Sequence, residues 1–338
     1  MNVAVLGTGS WGTALTLLLS RNGHQVTLLG RAAEEIAMLK SRRENLRYLP
    51  GFVLPADVSF GLMDEGLPDV DMTVLAVPAN AVRHVVRTVR AARCWVIAAK
   101  GLEGGTAQLM SEVVAESSPG AEVGVISGPN LAVEIARGIP TAAVTAFADL
   151  ETADRVRGVF MCRTFRVYVS TDVRGAELAG ALKNVLAIGA GMSDGLGFGD
   201  NTKGALLARG LHEMMTLGMA MGANIETFMG LAGVGDLLAT ASSKLSRNYR
   251  VGWALGKGER LDDVLDEIGQ VAEGVPTSDC AIVLSKRYGV QMPVCEAIDA
   301  VIRGRLQPVN AVTVLMERSP RVEGLLLPAS TGELKANG

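Results

Sequence analysis

The sequence predicts an α/β fold in which a doubly wound parallel sheet precedes an all-α domain, and three observations support this prediction. Short apolar runs alternate with helical patterns as far as about residue 170. A glycine-rich segment, Gly7–Gly12, separates the first apolar run from the first helical pattern. Beyond Thr171, apolar residues recur only at helical spacing. We therefore expect two domains, at residues 1–170 and 171–338.

Each predicted strand is a short apolar run, as in strands that are buried on both faces of a sheet. These runs are Val3–Leu6, Gln25–Leu29, Met72–Val77, Cys94–Ala99, Val123–Ile126, Thr141–Ala146 and Phe165–Val169. The helical patterns between the early strands are Trp11–Arg21, Ala79–Arg90 and Thr106–Glu116. In the second half, helical spacing covers Glu177–Ala190, Leu206–Met221, Val251–Leu255, Pro276–Tyr288 and Ile298–Ile302.

Length and composition exclude several classes of protein. The 338 residues are 49% hydrophobic and 20% charged, so we expect folded domains with substantial cores. The net charge of −3 argues against a nucleic-acid partner, which favours a basic surface. The three histidines and four cysteines show no spacing typical of metal ligands, so we expect no metal site.

The N-terminal segment has the low charge of a membrane segment but not its continuity. Residues 3–20 are uncharged, yet three glycines interrupt them and no basic residue precedes them. A signal peptide or a membrane span needs an unbroken apolar stretch. Together with widely spaced cysteines, which suit a reducing compartment, this favours a cytoplasmic protein without a membrane span. A homodimer is our working hypothesis for the assembly.

The spacing of Gly7, Gly9 and Gly12 predicts a dinucleotide-binding loop. The three form a G-x-G-x-x-G pattern between a strand and a helix, which is the context that makes the pattern informative. The first glycine allows the tight turn, the second lets a pyrophosphate approach, and the third lets helix and strand pack closely. The start of the helix offers free N–H groups to the anion. The first domain is thus expected to be Rossmann-like.

The end of the second strand distinguishes NADP from NAD. An NAD-binding domain usually has Asp or Glu about 20 residues beyond the glycines, whereas this sequence has Gly30 and Arg31. The Arg31 guanidinium can pair with a 2′-phosphate, which favours NADP. Alternatively it stacks on the adenine and either cofactor binds. We therefore expect NADP or NAD.

Two loops at strand ends predict the position of the substrate, because ligands of open α/β sheets bind beyond the carboxyl ends of the strands. Lys100 directly follows an apolar strand, and we expect its ammonium group to point toward the nicotinamide end of the cleft. Gly128 and Pro129 follow another strand and are expected to form a wall of the substrate cleft.

Lys183 is the candidate for proton transfer. It lies in a predicted helix whose face consists of alanine and glycine, so another backbone or a ligand can approach and desolvate it. Desolvation and nearby cations lower a lysine pKa from its reference value of about 10.4. Such a lysine can accept a proton from an alcohol while hydride leaves the same carbon. Asp236 is a candidate to orient Lys183 or a substrate hydroxyl, and Lys100 is the third candidate for a catalytic role.

Ser246, Arg247 and Asn248 predict a phosphate-binding helix start. Ser246 suits the N-cap position, and Arg247 and Asn248 would then lie in the first turn. An arginine, an asparagine and free N–H groups at a helix start together suit a phosphate.

These motifs resemble those of the bacterial-type NAD(P)-dependent glycerol-3-phosphate dehydrogenases over nearly the whole chain. In the first half the similar segments are Gly7–Ala14, Asn45–Gly51, Lys100–Leu102 and Ser127–Asn130. In the second half they are Glu177–Gly191, Asp194–Asn201, Gly230–Leu237, Ser246–Asn248 and Glu273–Val275. The motifs of the second half are specific, whereas the glycine loop alone is not.

The resemblance implies reversible conversion of sn-glycerol 3-phosphate and dihydroxyacetone phosphate, in the direction that supplies phospholipid synthesis. It implies that Lys183 accepts the proton in oxidation and donates it in reduction. The other residues that it places around the substrate are Lys100, Gly128, Asp236, Ser246, Arg247 and Asn248. Those that it places near the cofactor are Ser10, Trp11, Arg31, Ala132, Val271 and Glu273, with Lys100 and Arg247 touching both ligands.

Two positions depart from the family pattern. The family usually has Ser or Thr and then Phe after Gly-Pro, whereas Asn130 and Leu131 stand here. We expect the Asn130 amide to take the place of the usual hydroxyl contact with substrate. Ala32 and Ala33 replace basic residues that often follow the Arg31 position, which weakens the preference for NADP.

Two other functions remain open on the sequence alone. A related two-domain dehydrogenase of a hydroxy acid or a phosphogluconate would also use a lysine on its helical domain. A carboxylate substrate, however, would not need the phosphate site at residues 246–248. A non-catalytic dinucleotide sensor would keep the glycine loop without needing Lys100, Lys183 and Asp236, whose joint presence argues against it.

Overall fold

The computed structural model of the protein describes residues 1–89 and 92–317. The strands in these residues are β1 Asn2–Leu6, β2 Gln25–Gly30, β3 Glu44–Asn45, β4 Leu49–Val53, β5 Ser59–Leu62, β6 Met72–Leu75, β7 Cys94–Ile97, β8 Glu122–Ser127, β9 Thr141–Phe147 and β10 Phe165–Ser170. The helices that alternate with them are α1 Ser10–Arg21, α2 Ala33–Arg42, α3 Val82–Val89, α4 Met110–Ser117, α5 Ala132–Ala136 and α6 Leu150–Phe160.

The second half of the described chain is helical. Its helices are α7 Val173–Gly195, α8 Asp200–Ala220, α9 Ile225–Met229, α10 Asp236–Ser242, α11 Arg247–Gly256, α12 Leu261–Ile268, α13 Gly274–Tyr288, α14 Pro293–Ile302 and α15 Pro308–Met316. A π-helical turn, Leu231–Gly235, precedes α10. Residues 318–338, which the expected second domain includes, lie outside the described residues.

Eight strands form one twisted sheet in the order β10-β9-β8-β7-β6-β1-β2-β5, with β1 near its middle. Alternate residues of β1 enter different cores: Val3 and Val5 pack on one side, and Ala4 and Leu6 pack on the other. This double burial explains why β1 is a continuous apolar run. The predicted α/β class, with an all-α second half, is thus confirmed as a mostly parallel sheet.

The expectation that every strand is parallel is wrong for β9 and β10. β9 pairs with β8 in antiparallel register, Val125 opposite Ala146, and β10 then runs parallel to β9. Two parallel strands need a crossover that returns over the face of the sheet. The link from β8 to β9 carries only the five-residue α5, which packs against α1. The chain therefore reverses direction instead of crossing over.

The predicted helix at Thr106–Glu116 is wrong in its first turn. Leu102 and Leu109 pair in an antiparallel bridge, and Ala107 between them has a φ of +57°. This turn has to finish before α4 begins at Met110. The short strand β5 and the hairpin β3–β4 have no counterpart among the predicted elements, because their residues form no clear apolar run.

Helix α7 is the centre of the helical half. Each of its residues from Gly175 to Ser193 is buried, and α8, α10, α11, α13 and α14 pack around it. Within the described residues, none of the helices combines the length and the apolar character that a membrane span requires. The burial of α7 fixes the position of any side chain that it carries.

The contact between α7 and α11 depends on glycine. A Cβ atom at Gly252 would lie 1.9 Å from the main-chain oxygen of Ile188, and one at Gly191 would lie 2.1 Å from that of Tyr249. Real Cβ atoms do not approach a backbone oxygen this closely, so neither position tolerates a side chain without separating the two helices.

Replacing Gly252 is therefore expected to destabilise the fold. We predict that Gly252→Ala lowers the free energy of unfolding by about 2–3 kcal/mol, because the added methyl group overpacks a backbone contact. Gly204→Ala is the matched control, since Gly204 is also helical and has no atom within 4 Å of the added Cβ. This control should be stabilised by roughly 0.5–1 kcal/mol. Equal unfolding temperatures for the two variants in calorimetry would contradict the prediction.

Candidate active site

The glycine loop between β1 and α1 has the geometry of an anion site. Gly7 has a φ of +113°, and a Cβ atom on Gly12 would lie 1.9 Å from the Gly7 oxygen, so both positions require glycine. Beside Gly9 there is open space. No side chain of the described residues caps α1, and its first turn carries no acidic residue. The free N–H groups of this helix start thus fit the pyrophosphate of a dinucleotide.

The segment before α13 reaches the glycine loop from the other half of the chain. Ser10 Oγ donates to Gln270 Oε1 at 3.4 Å, and the Ala79 N–H donates to Glu273 Oε1 at 3.0 Å. Val271 between them is exposed. The structure thus brings the predicted residues Val271 and Glu273 to the same edge of the sheet as Ser10.

The other predicted cofactor residues also lie near strand ends. Arg31 directly follows β2 and is exposed to solvent. Ala132 is the first residue of α5, which packs against α1. Trp11 is partly buried in the first turn of α1, and its indole Nε1 is buried without a hydrogen-bond partner among the described residues.

Two lysines share one buried carboxylate at the junction of the two halves. Lys100 Nζ lies 2.8 Å from Asp236 Oδ2, and Lys183 Nζ lies 3.1 Å from Asp236 Oδ1. Lys100 comes from the loop after β7, Lys183 from the middle of α7, and Asp236 from the start of α10. The structure thus unites the three residues for which the sequence predicts catalytic roles. We refer to them as the ion cluster.

Two members of the ion cluster, Lys183 and Asp236, have shifted pKa values. Burial lowers the pKa of Lys183 to about 8, while Asp236 acts in the opposite direction and the Lys100 ammonium lowers it further. Burial alone would raise the pKa of Asp236, but the charges of Lys100 and Lys183 outweigh it and hold that pKa below its usual value. The carboxylate therefore stays ionised while Lys183 can change its charge near neutral pH.

Lys100 also contacts the predicted wall of the cleft. Its Nζ donates to the Gly128 main-chain oxygen at 2.7 Å and to Asn130 Oδ1 at 3.5 Å. The Asn130 Nδ2 atom is buried and has no hydrogen-bond partner among residues 1–89 and 92–317. Asn130 thus has an unused donor at the position where the similar family usually has the hydroxyl of Ser or Thr.

The start of α11 supplies a partly buried cation, Arg247. Burial lowers the pKa of Arg247, and the Glu273 carboxylate opposes this effect, but Arg247 forms no ion pair in the described part of the chain. Ser246 is the N-cap, as predicted, and its Oγ accepts from the Tyr249 N–H. This leaves the N–H groups of Arg247 and Asn248 at the helix start available to an anion.

The side chain of Asn248 is engaged by the protein. Its Nδ2 donates to Asn184 Oδ1 at 2.8 Å, and its Oδ1 accepts from the Gly274 N–H at 2.9 Å. Asn184 in turn donates to the main-chain oxygen of Lys100 at 2.9 Å. This chain of amides connects α11, α13 and α7 to the loop that carries Lys100.

Thr240 and Asn184 are two site residues that the sequence analysis did not assign. Thr240 Oγ1 accepts from Lys183 Nζ at 2.7 Å and donates to Asp236 Oδ1 at 3.1 Å. Thr240 lies four residues after Asp236, on the same face of α10. Helical spacing from Asp236 could therefore have indicated Thr240 as a site residue. Asn184 directly follows Lys183, but no local pattern shows that its amide reaches another helix.

Comparison with protein families gives matches over both halves of the chain. The model described as the N-terminus of NAD-dependent glycerol-3-phosphate dehydrogenase matches residues 2–153, and the model of its C-terminus matches residues 172–313. The chain is similar to a protein of Geobacillus kaustophilus named glycerol-3-phosphate dehydrogenase [NAD(P)+], with 46% identity over 95% of this chain and 96% of that protein. A protein of the same name from Desulfitobacterium hafniense is 44% identical over 99% of this chain and 97% of its own length.

Solved structures agree with these matches. The crystal structure of glycerol-3-phosphate dehydrogenase from Coxiella burnetii superposes with a TM-score of 0.90 and 36% identity, over 94% of this chain and 99% of that chain. A D-mandelate dehydrogenase has a TM-score of 0.60 at 13% identity, over 92% of this chain and 99% of its own, which shows a shared fold alone. On the identities and coverage above, the chain belongs to the NAD-dependent glycerol-3-phosphate dehydrogenase family.

Proposed function

We propose that this protein interconverts sn-glycerol 3-phosphate and dihydroxyacetone phosphate by hydride transfer with NAD(P), and that it supplies glycerol 3-phosphate for phospholipid synthesis. The observation that carries the proposal is the ion cluster, in which a buried lysine with a pKa of about 8 contacts a buried carboxylate. Beside it lies the guanidinium of Arg247, which forms no ion pair within the described residues and whose charge also lowers the pKa of Lys183. A proton acceptor next to a phosphate site suits a phosphorylated alcohol.

Lys183 is the residue to which we assign proton transfer. In oxidation its neutral amine accepts the proton of the secondary hydroxyl, and in reduction its ammonium group returns the proton to the carbonyl oxygen. Bound NAD(P) supplies the acceptor or the donor of hydride at the same carbon. Asp236 holds the Lys183 amine in place and, through Thr240, fixes its orientation.

Substrate binding is divided between two ends of the cleft in this proposal. At the reacting end, Lys100 and the Asn130 amide donate to substrate oxygens, and Gly128 forms the wall. At the phosphate end, Arg247 and the helix start at Ser246 and Asn248 bind the dianion. The proposed cofactor residues are Gly7, Gly9, Ser10, Trp11, Gly12, Arg31, Ala132, Val271 and Glu273, with Lys100 and Arg247 shared between both ligands.

Three further features complete the proposal. A domain division at residues 170 and 171 is supported by the end of β10 at Ser170 and the start of α7 at Val173.

A homodimer is supported by α15, which has no buried residue and exposes Val309, Val314 and Met316. Light scattering measures the mass of the protein in solution and so tests this assembly. A cytoplasmic location is supported by four free cysteines, which suit a reducing compartment.

The reaction itself is tested by nicotinamide oxidation with dihydroxyacetone phosphate, run in parallel with NADPH and NADH. Turnover is expected, and the ratio of the two rates measures the effect of Arg31.

Lys183→Ala should lower turnover by roughly 10³-fold, as expected for loss of a general acid, while cofactor affinity stays unchanged. Lys203→Ala, which removes another partly buried lysine in an ion pair, is the control and should be active. Near-normal turnover of Lys183→Ala would contradict the assigned role.

The pKa of Lys183 predicts opposite pH profiles for the two directions. Because oxidation needs the neutral amine, its kcat/KM should rise with pH and level off above about 8. Reduction needs the ammonium group, so its kcat/KM should fall as pH rises through the same value. In Asp236→Asn both inflections should move to lower pH, since the carboxylate is what raises the pKa of Lys183. Parallel profiles for the two directions would exclude this lysine as the proton carrier.

Arg247 is predicted to recognise the phosphate. Arg247→Ala should lower kcat/KM for dihydroxyacetone phosphate by about 100-fold, the effect of losing a charge-assisted contact worth ~3 kcal/mol. Any activity with unphosphorylated dihydroxyacetone should change little. Arg250→Ala removes an exposed arginine from the same helix and is the matched control. An equal loss with both substrates would show that Arg247 does not contact the phosphate.

A further inference from the structure

The hairpin β3–β4 contains a buried asparagine that the proposed reaction does not use. Asn45 is 3% exposed, although hairpin residues around it, such as Leu46 and Val53, are exposed. Leu49 and Leu54, at 0% and 1% exposed, anchor the hairpin in the core that contains the leucines of α1. The hairpin is thus attached to the core, and Asn45 is a polar residue that it buries.

Asn45 is bonded to both sides of the glycine loop. Its Nδ2 donates to the Thr8 main-chain oxygen at 2.7 Å and to Thr13 Oγ1 at 2.7 Å. Thr8 lies between Gly7 and Gly9, and Thr13 lies in the first turn of α1. The Asn45 Oδ1 atom accepts from the Tyr48 N–H at 3.1 Å, which fixes the orientation of the amide. One side chain therefore connects the loop to the helix that follows it.

The bond to Thr8 determines the direction of the next N–H group. A trans peptide is planar, so its carbonyl and its N–H point in opposite directions. When the Thr8 carbonyl points to Asn45, the Gly9 N–H must point away from Asn45. That N–H is one of the donors that an approaching pyrophosphate meets.

We propose that Asn45 is a positioning residue for the cofactor: it holds the Thr8–Gly9 peptide in the orientation that presents the Gly9 N–H to the dinucleotide pyrophosphate. This inference rests on the proposed function, because it assumes that the glycine loop binds NAD(P). The role requires an amide, since one NH2 group donates to both the Thr8 oxygen and Thr13 Oγ1 at 2.7 Å, whereas the Thr13 hydroxyl reaches the Thr8 oxygen only at 3.4 Å. A carboxylate of the same shape has no donor for the Thr8 carbonyl.

The experiment is a titration of NADPH and NADH by nicotinamide fluorescence, which measures the dissociation constant without turnover. In Asn45→Ala the constant is expected to rise about tenfold, because two hydrogen bonds that order the loop are lost. At saturating cofactor, kcat and the KM for dihydroxyacetone phosphate should stay within about twofold of the wild type, since Lys183 and Arg247 are unaffected. Asn45→Asp keeps the side-chain shape and should weaken cofactor binding at least as much.

The matched control is Asn22→Ala, at the opposite end of α1. Asn22 Nδ2 also donates to two acceptors, the main-chain oxygens of Val159 and Phe160 at 3.0 and 3.1 Å. This variant should lose thermal stability as Asn45→Ala does, but it should bind cofactor with wild-type affinity. The control thus separates loss of stability from loss of loop orientation.

Two outcomes would overturn the inference. Wild-type cofactor affinity in either folded Asn45 variant would show that the amide serves only the fold. An equal loss of affinity in Asn22→Ala would show that any weakening of this domain has the same effect. If the wild-type protein binds neither NADPH nor NADH, the proposed function fails instead, so the two failures are distinguishable. Should Asn45→Ala not fold, Asn45→Asp provides the same measurement.

Discussion

The sharing of one buried carboxylate by two lysines is the interaction on which the rest of the structure depends. Buried charges are unfavourable unless they are paired, and removal of one partner leaves the others uncompensated. Lys100 lies in a loop that follows a strand of the sheet, whereas Lys183 and Asp236 belong to the helical half. The ion cluster therefore exists only while the two halves pack closely. Their packing determines the chemistry, because it is burial that lowers the pKa of Lys183.

The small residues of α7 make that close packing possible. A Cβ atom at Gly180 would lie 2.9 Å from Ser127 Oγ and 3.7 Å from Lys100 Cγ, so the stem of Lys100 runs directly over this glycine. On another side of the same helix, Gly191 receives the backbone of α11, whose first residue is Arg247. One helix thus carries Lys183 and also sets the distance from it to the sheet and to the start of α11, the proposed phosphate site.

The sequence predicted those parts of the site that local patterns specify. Glycine spacing predicted the loop around Gly9, and a strand-end position predicted Lys100. The N-cap preference of serine predicted the start of α11. The reversal of β9 was not predictable, because the apolar pattern of a strand is the same in both directions. Nor was the contact of Asn45 with Thr8, since it joins residues that are 37 positions apart and depends on the path of a hairpin.

Neutral amides and charged groups have separate roles at this site. Asn184 and Asn248 fix the main chain near Lys100 and α13 without adding charge to it. A carboxylate at either position would offset the positive charge of Lys100, Lys183 and Arg247, which Asp236 and Glu273 balance only in part. In the proposed reaction, the Lys100 and Arg247 cations favour a phosphate dianion, and both also favour the neutral form of Lys183. The same two cations would therefore serve substrate binding and prepare the group proposed to accept the proton.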